Sequence, residues 1–214
     1  MTPDPITKLG VLVSGRGSNL QALIDASPAG QLGSASIAVV LSNVEGAFAL
    51  ERARRANIPT CVVDHHGWPS RDDFDRAVVR ELQRREVDLV CLAGFMRKLG
   101  RPLLDAYPSA ILNIHPSLLP SFPGLHPQRQ ALTHGVKVSG ATVHLVTEDL
   151  DDGPIVVQRT VPVLDGDTEE TLAARILHEE HLAYPEAVRM LLKGGRVEGR
   201  RWVAWPAPSQ NPLA

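Results

Sequence analysis

Asn113 and His115 are the residues whose types and spacing best suit acyl-transfer chemistry. They lie in Asn113-Ile-His-Pro116, at the carboxyl end of a strand predicted over residues 110–113. Residues two apart on a strand project to the same side, and open parallel sheets place their ligand crevice at this end of the strands. An amide can donate to the oxyanion of a tetrahedral intermediate while an imidazole moves a proton. A single histidine near a strand end is weak evidence, since it also fits a structural role.

A carboxylate beside His115 would support this interpretation, and Asp151 and Asp152 are the candidates. Both lie in the predicted turn Leu150-Asp-Asp-Gly-Pro154. Aspartate is favoured in turns for purely local hydrogen bonds, but a carboxylate within reach of an imidazole also stabilises the imidazolium form. The residues alone leave both aspartates open.

Ser14-Gly-Arg-Gly-Ser-Asn19 is a candidate phosphate site. It follows the first predicted strand and opens the first predicted helix, where backbone N–H groups and the helix dipole favour an anion. A dinucleotide fingerprint requires a glycine where Leu20 stands and an acidic residue where Ser42-Asn43 stand. The motif therefore disfavours a nicotinamide cofactor. A plain glycine turn with Ser18 as helix cap is the alternative.

One pair of histidines has a spacing that could in principle share a metal ion. His178 and His181 are three apart on the last predicted helix, but a third ligand with suitable spacing is not evident. His65-His66 fits a solvated loop. The sequence predicts no metal site.

Alternating strands and helices must position these residues. Strands are predicted at residues 9–14, 36–41, 60–63, 88–93 and 110–113, with helices at 18–26, 47–56 and 71–85 and a short one near Pro102. Such alternation predicts a Rossmann-like, mostly parallel sheet with helices on both faces.

The second half of the chain is predicted to extend this α/β sheet. Pro116, Pro120, Pro123 and Pro127 interrupt regular structure, so an extended loop is expected there. Residues 139–146 and 155–163 alternate apolar and polar side chains and are predicted to form an antiparallel C-terminal extension. A long helix over 168–192 and a small strand over 197–205 follow, and the proline-rich end from Pro206 is expected to fray.

Composition limits the class of protein. The 214 residues are 43% apolar and 21% charged, with a net charge of -2, which fits one globular domain and gives no broad field for nucleic acid. The two cysteines do not indicate a disulfide framework. No apolar run reaches the ~18 residues of a membrane span, and the N-terminus lacks a signal peptide. We expect a cytoplasmic protein with small-molecule partners, no nucleic acid and no membrane.

Six motifs follow one another along the chain: Ser14-Gly-x-Gly-Ser-Asn-Leu20, Leu92-Ala-Gly-Phe-Met-Arg97, Asn113-Ile-His-Pro-Ser-Leu-Leu-Pro120, Pro123-Gly-Leu-His126, Gly140-Ala-Thr-Val-His144 and Leu150-Asp-x-Gly-Pro154. In their order and intervals they resemble the phosphoribosylglycinamide formyltransferase family. The resemblance covers almost the whole chain. It implies one formyltransferase domain over 1–214, with a nucleotide-binding-like half at about 8–100 and a catalytic and folate-binding half at about 101–205.

The family's functional residues carry over to matching positions. The resemblance implies a catalytic trio of Asn113, His115 and Asp151, and it selects Asp151 over Asp152, where the family commonly has glycine. Further implied roles are phosphate binding by Gly17, Ser18 and Asn19, glycinamide binding by Glu180, and folate binding by Arg71, Met96, Arg97, Lys98, Leu99, Asn113, Glu148, Asp149 and Leu150.

The implied reaction is formyl transfer from 10-formyltetrahydrofolate, as co-substrate, to the amine of phosphoribosylglycinamide in purine synthesis, without a metal or a nicotinamide. Formyltetrahydrofolate hydrolase and a non-catalytic folate or nucleotide binding module are the alternatives. A methionyl-tRNA formyltransferase would be expected to carry a further C-terminal domain, and a dinucleotide oxidoreductase a complete fingerprint. A monomer and a homodimer both fit the sequence.

Overall fold

A computed structural model describes residues 6–204, so Trp205 and the predicted frayed end from Pro206 lie outside the described residues. Nine strands form one sheet: β1 (Thr7–Val13), β2 (Ala35–Ser42), β3 (Thr60–Val62), β4 (Leu89–Leu92), β5 (Ile111–His115), β6 (Val138–Leu145), β7 (Ile155–Pro162), β8 (Gly195–Glu198) and β9 (Arg201–Ala204). The α-helices are α1 (Ser18–Ala26), α2 (Phe48–Arg55), α3 (Arg71–Arg84), α4 (Arg101–Ala106), α5 (Pro127–Thr133) and α6 (Glu169–Leu192).

The sheet is parallel through β5, antiparallel from β5 to β7, and parallel again at the single residue pair between β7 and β9. Its order is β3-β2-β1-β4-β5-β6-β7-β9-β8. The first five strands pair in parallel, whereas β6 runs antiparallel to both β5 and β7. The predicted Rossmann-like sheet with an antiparallel extension is therefore confirmed. Its strand order reverses beside β1, where doubly wound folds hold their ligands.

Helices cover both faces of the sheet because successive strand residues point to opposite sides. On one face, Leu9 and Val11 of β1 belong to the core that includes α1, α2 and α6. On the other face, Leu12 packs in the core that includes Phe74 of α3 and Leu103 of α4. Two buried layers result, and the loops at the ends of the strands are left to form the site.

Two predictions for the second half of the chain were wrong. The proline-rich segment was expected to stay irregular, yet Pro127 is the first residue of α5. Proline suits this position because its missing N–H has no intrahelical acceptor there and its φ is already helical. The single strand expected over 197–205 is instead the β8–β9 hairpin, whose turn is Gly199-Arg200.

The long C-terminal helix was predicted correctly. Thr168 caps it by accepting from the Thr171 N–H. The Tyr184 hydroxyl lies 2.9 Å from the Leu92 carbonyl oxygen and 3.2 Å from that of Leu112, which fixes α6 against the ends of β4 and β5. Among the helices that the structure describes, none is both long and apolar enough to cross a membrane.

Candidate active site

A cavity of about 420 Å³ lies at the carboxyl ends of β4 and β5. Asn113 and His115 of β5 line it, and Asp151 reaches it from the loop between β6 and β7. The remaining lining includes most of the predicted folate residues: Met96, Arg97, Lys98, Leu99, Glu148, Asp149 and Leu150. The structure thus brings the predicted catalytic trio and these folate residues around one space.

His115 lies between two acceptors. Its Nε2 is 2.9 Å from the Phe122 carbonyl oxygen, and its Nδ1 is 3.4 Å from Asp151 Oδ2. Because a carbonyl can only accept, Nε2 carries hydrogen, and Nδ1 faces a carboxylate. Only about 7% of each of the His115 and Asp151 side chains is exposed. The His115 ring is therefore fixed between a backbone carbonyl and the Asp151 carboxylate.

Asp151 is held in place by the backbone around it. It adopts a left-handed conformation with φ 52°, and the Gly124 N–H donates to its Oδ2 at 2.8 Å. The neighbouring Asp152 carboxylate instead pairs with Arg200 in the turn of the β8–β9 hairpin. Asp151 is therefore the carboxylate that faces His115, and Asp152 ties the loop between β6 and β7 to the hairpin.

His144 orients Asn113. The two residues are cross-strand partners on β6 and β5, and Asn113 Nδ2 lies 3.2 Å from His144 Nε2. His144 Nδ1 lies 3.0 Å from the Leu145 carbonyl oxygen, so Nδ1 donates and Nε2 accepts from the amide. Burial lowers the pKa of His144, which favours this neutral form.

His144 was not predicted as a site residue, although it stands in one of the motifs that carried the resemblance. The signal that identifies it is its pairing with Asn113, which depends on the register of two antiparallel strands. The Phe122 carbonyl was missed for a related reason, because its place beside His115 depends on the path of the proline-rich loop.

The predicted phosphate and glycinamide residues lie together beside the first strand. Gly17 is the N-cap of α1, and Ser18 and Asn19 form its first turn. Asn19 Nδ2 donates to Glu180 Oε2 at 3.0 Å. Glu180 is buried, and this burial raises the pKa of its carboxyl to about 7. In the part of the chain that the structure describes, Asn19 Oδ1 is buried without a hydrogen-bond partner.

Ser14 connects the loop before α1 to the cavity. Its N–H donates to the Gly94 carbonyl at 3.0 Å, and its Oγ accepts from the Met96 N–H at 2.8 Å. Gly94 and Met96 both line the cavity. Ser14, after β1, and the segment Gly94 to Met96, after β4, therefore join the predicted phosphate-binding residues to the predicted folate-binding residues.

Arg71 is the predicted folate residue that the structure keeps apart from the others. It is exposed at the start of α3 and does not line the cavity. Its Nε lies 3.4 Å from the position a Cβ would take on Gly100, behind the loop that carries Met96 to Leu99. Arg97 does line the cavity, and its guanidinium lies 6.0 Å from the centre of the Phe74 ring.

The cluster Asp64, His65 and His66 places possible metal-ligand atoms within 4.8 Å of one another. However, His65 Nδ1 lies 3.0 Å from the Asn43 carbonyl oxygen and therefore acts as a donor. This hydrogen bond takes Nδ1 out of the possible ligand set and leaves only the Nε2 of the His65 ring for a metal. The cluster also lies outside the cavity lining.

Comparison with known proteins identifies the family. Residues 7–188 match the family model described as formyl transferase. The chain belongs to this family. Within it, phosphoribosylglycinamide formyltransferase of Escherichia coli (strain K12) is 44% identical over 195 residues, which cover 91% of each protein. The resemblance inferred from the six motifs is thereby confirmed.

Two further members of the formyl transferase family extend the comparison. The trifunctional purine biosynthetic protein adenosine-3 of Drosophila pseudoobscura pseudoobscura is 49% identical over 195 residues, but the chain spans only 14% of that protein's length. The crystal structure of glycinamide ribonucleotide transformylase 1 from Symbiobacterium toebii superposes with a TM-score of 0.91 at 54% identity, covering 93% of this chain and 94% of that one.

Proposed function

We propose that this chain transfers the formyl group of 10-formyltetrahydrofolate to the amine of N1-(5-phospho-D-ribosyl)glycinamide. The products are the N2-formyl compound and tetrahydrofolate, in de novo purine (IMP) biosynthesis. The convergence of Asn113, His115 and Asp151 on one cavity carries the proposal. The names of the relatives that match nearly end to end support this acceptor.

The folate would occupy the cavity between two loops. Met96, Leu99 and Leu150 offer apolar contact to its rings, and Arg97 and Lys98 offer positive charge to its glutamate tail. Glu148, Asp149 and Leu150 bring backbone groups toward the pterin. Arg71 lies outside the cavity wall, so we assign it only to the part of the tail that extends beyond the cavity.

The acceptor would lie across the start of α1. Gly17, Ser18 and Asn19 would bind its phosphate, because the first N–H groups of a helix lack intrahelical acceptors. Glu180 would contact the glycinamide portion, being hydrogen-bonded to Asn19. In this arrangement the residues of about 8–100 supply the phosphate loop and part of the folate wall, and those of about 101–205 supply the catalytic trio.

The transfer would begin with attack of the acceptor's amine nitrogen on the formyl carbon. Asn113 donates one amide hydrogen to His144, which leaves the second for the developing oxyanion. The imidazolium of His115 would stabilise the same charge, with Asp151 orienting the ring. The bond from the formyl carbon to N10 then breaks. The amine nitrogen loses one proton and N10 gains one, so no metal or nicotinamide is required.

Formyl transfer can be tested by following tetrahydrofolate and formylated amide together, with and without phosphoribosylglycinamide. We expect equal amounts of both products, formed only when the acceptor is present. Folate release as formate without acceptor would indicate the hydrolase, and binding of both ligands without turnover would indicate a binding module. Asp151→Asn should abolish most of the turnover, whereas Asp105→Asn, at an exposed position of α4, serves as the matched control.

The setting of the reaction is part of the same proposal. We place the enzyme in the cytoplasm, acting on small molecules, as a monomer or a homodimer. Sedimentation of the purified chain at assay concentration would distinguish the two oligomeric states.

A further inference from the structure

We propose that Arg52 of α2 is a positioning residue for the phosphate loop, residues 15–19. Its role would be to hold the loop's carbonyl groups away from the bound anion. The inference rests on the proposed function, because it assumes that a phosphorylated acceptor binds at the start of α1.

Three successive carbonyl groups of the loop each meet a donor. The Gly15 carbonyl accepts from the Ala49 N–H at 3.0 Å, and the Gly17 carbonyl accepts from the Gln21 N–H at 2.9 Å. Between them, the Arg16 carbonyl accepts from Arg52 Nε at 2.9 Å. Ala49 and Arg52 are three apart on one helix, so the same face of α2 binds two successive carbonyls of the loop.

This arrangement decides where the loop's N–H groups point. In a trans peptide the C=O and the following N–H point in opposite directions. Carbonyls directed at α2 and into α1 therefore leave the N–H groups of Arg16, Gly17 and Ser18 directed toward the opposite side. That side is where an anion would be bound by backbone donors.

Arg52 is itself held by two further contacts. Its Nη1 donates to Gln21 Oε1 at 3.0 Å, and its guanidinium lies 5.0 Å from the centre of the Phe48 ring. Only a planar, branched cation can make these contacts and bind the Arg16 carbonyl at once, so lysine should replace it poorly. Rotation of the Arg16 peptide would otherwise turn a carbonyl oxygen toward the anion, which would repel it.

A purely structural role for Arg52, as a contact between α1 and α2, makes a different prediction. Loss of such a contact would affect every substrate alike. Loss of loop positioning would affect only acceptors that carry a phosphate. The comparison of phosphoribosylglycinamide with its dephosphorylated counterpart, ribosylglycinamide, separates these two roles.

The experiment compares wild type, Arg52→Met and Arg52→Lys, with Arg54→Met as control at an exposed position of the same helix. We expect Arg52→Met to raise KM for phosphoribosylglycinamide about tenfold, the effect of losing one hydrogen bond to a charged group. Its kcat should stay within about twofold, and its kcat/KM for ribosylglycinamide and KM for the folate should not change. Arg52→Lys should give a smaller rise in KM, and Arg54→Met none.

An equal loss of kcat/KM for both acceptors, or no loss for either, would overturn the role of Arg52. So would a wild-type protein that does not prefer phosphoribosylglycinamide to ribosylglycinamide. Should Arg52→Met fail to fold, the same comparison is made with Arg52→Lys. Calorimetric binding of phosphoribosylglycinamide adds a readout without turnover. Arg52-dependent binding in a chain that transfers no formyl group would retain this inference and reject the proposed reaction.

Discussion

Replacing Gly17 by alanine should destabilise the protein, whereas the same change at Gly15 should not. Gly17 has φ +71°, and a Cβ built on it would lie 2.6 Å from the Cβ of Ala49 and 2.8 Å from its Cα. At Gly15 a new Cβ meets no atom within 4 Å. The two glycines are two residues apart in one loop, so they form a matched pair.

The expected magnitude follows from three contributions. A non-glycine residue in the left-handed region costs about 1–2 kcal/mol, and the overpacking against Ala49 adds about 1–3 kcal/mol. Replacing glycine lowers the conformational entropy of the unfolded chain, which stabilises the fold by about 0.4–1 kcal/mol. Gly17→Ala should therefore lower the free energy of unfolding by about 1–5 kcal/mol. Gly15→Ala should leave it unchanged or raise it by up to about 1 kcal/mol, since only the last contribution applies.

Denaturant unfolding of both single variants measures this difference directly. A third protein, Gly17→Ala with Ala49→Gly, helps to separate the two causes, because it removes the contact with the Cβ of residue 49 but retains the contact with its Cα and the backbone strain. It should recover part of the loss once the cost of Ala49→Gly alone is subtracted. Equal stabilities of Gly17→Ala and Gly15→Ala would refute the reasoning, and so would the absence of any coupling between positions 17 and 49.

Three further predictions concern the site and its supports. Asn113→Ala should lower kcat by roughly 100- to 1,000-fold with little change in unfolding free energy, as for other oxyanion donors; near-normal single-turnover rates would contradict its assigned role. Asp152 and Arg200 form an ion pair in which both side chains are half-exposed. A double-mutant cycle of Asp152→Asn and Arg200→Gln should therefore give a coupling energy of about 0.2–1 kcal/mol that falls with added salt. Zero coupling at low salt would show that the ion pair does not stabilise the fold. Burial raises the pKa of the Glu180 carboxyl from 4.5 to about 7. Between these two pH values the folded state therefore holds more protons than the unfolded state. The free energy of unfolding should fall by roughly 3 kcal/mol as pH rises through that window. Glu180→Gln should not show this fall in unfolding experiments from pH 4 to pH 8, and parallel pH profiles would contradict the assignment.

Much of the fold could be predicted because the signals are local. Alternation of apolar strands with amphipathic helices identified β1 to β5 and the helices between them to within two residues. The start of α5 differs from the prediction because proline disrupts a helix interior but is favoured at the first helical position, where Pro127 lies. One strand is predicted over residues 197–205, whereas the structure has the β8–β9 hairpin there. The hairpin joins the sheet through a single residue pair, Ile155 with Arg201.

The candidate site was predictable where motifs mark side chains and not where function depends on tertiary contacts. Asn113 and His115 follow from their place at the end of a strand. The orientation of Asn113 by His144 depends on strand register, and the acceptor for His115 Nε2 is a backbone carbonyl, that of Phe122, which no residue type can indicate. Arg71 shows the opposite case: it is implied as a folate residue by the family resemblance, yet it does not line the cavity.

The loop between β6 and β7 has room for a side chain at residue 152 but not at residue 153. The Leu145 N–H donates to the Pro154 carbonyl at 2.9 Å, which brings the loop back against β6. A Cβ on Gly153 would lie 1.7 Å from the Leu145 carbonyl oxygen and 3.3 Å from Thr147 Cγ2, so no side chain fits there. Asp152, one residue earlier, directs its carboxylate outward to Arg200. The close approach at Gly153 therefore sets the path that delivers Asp151 to His115, and the extra carboxylate at 152 leaves that path intact.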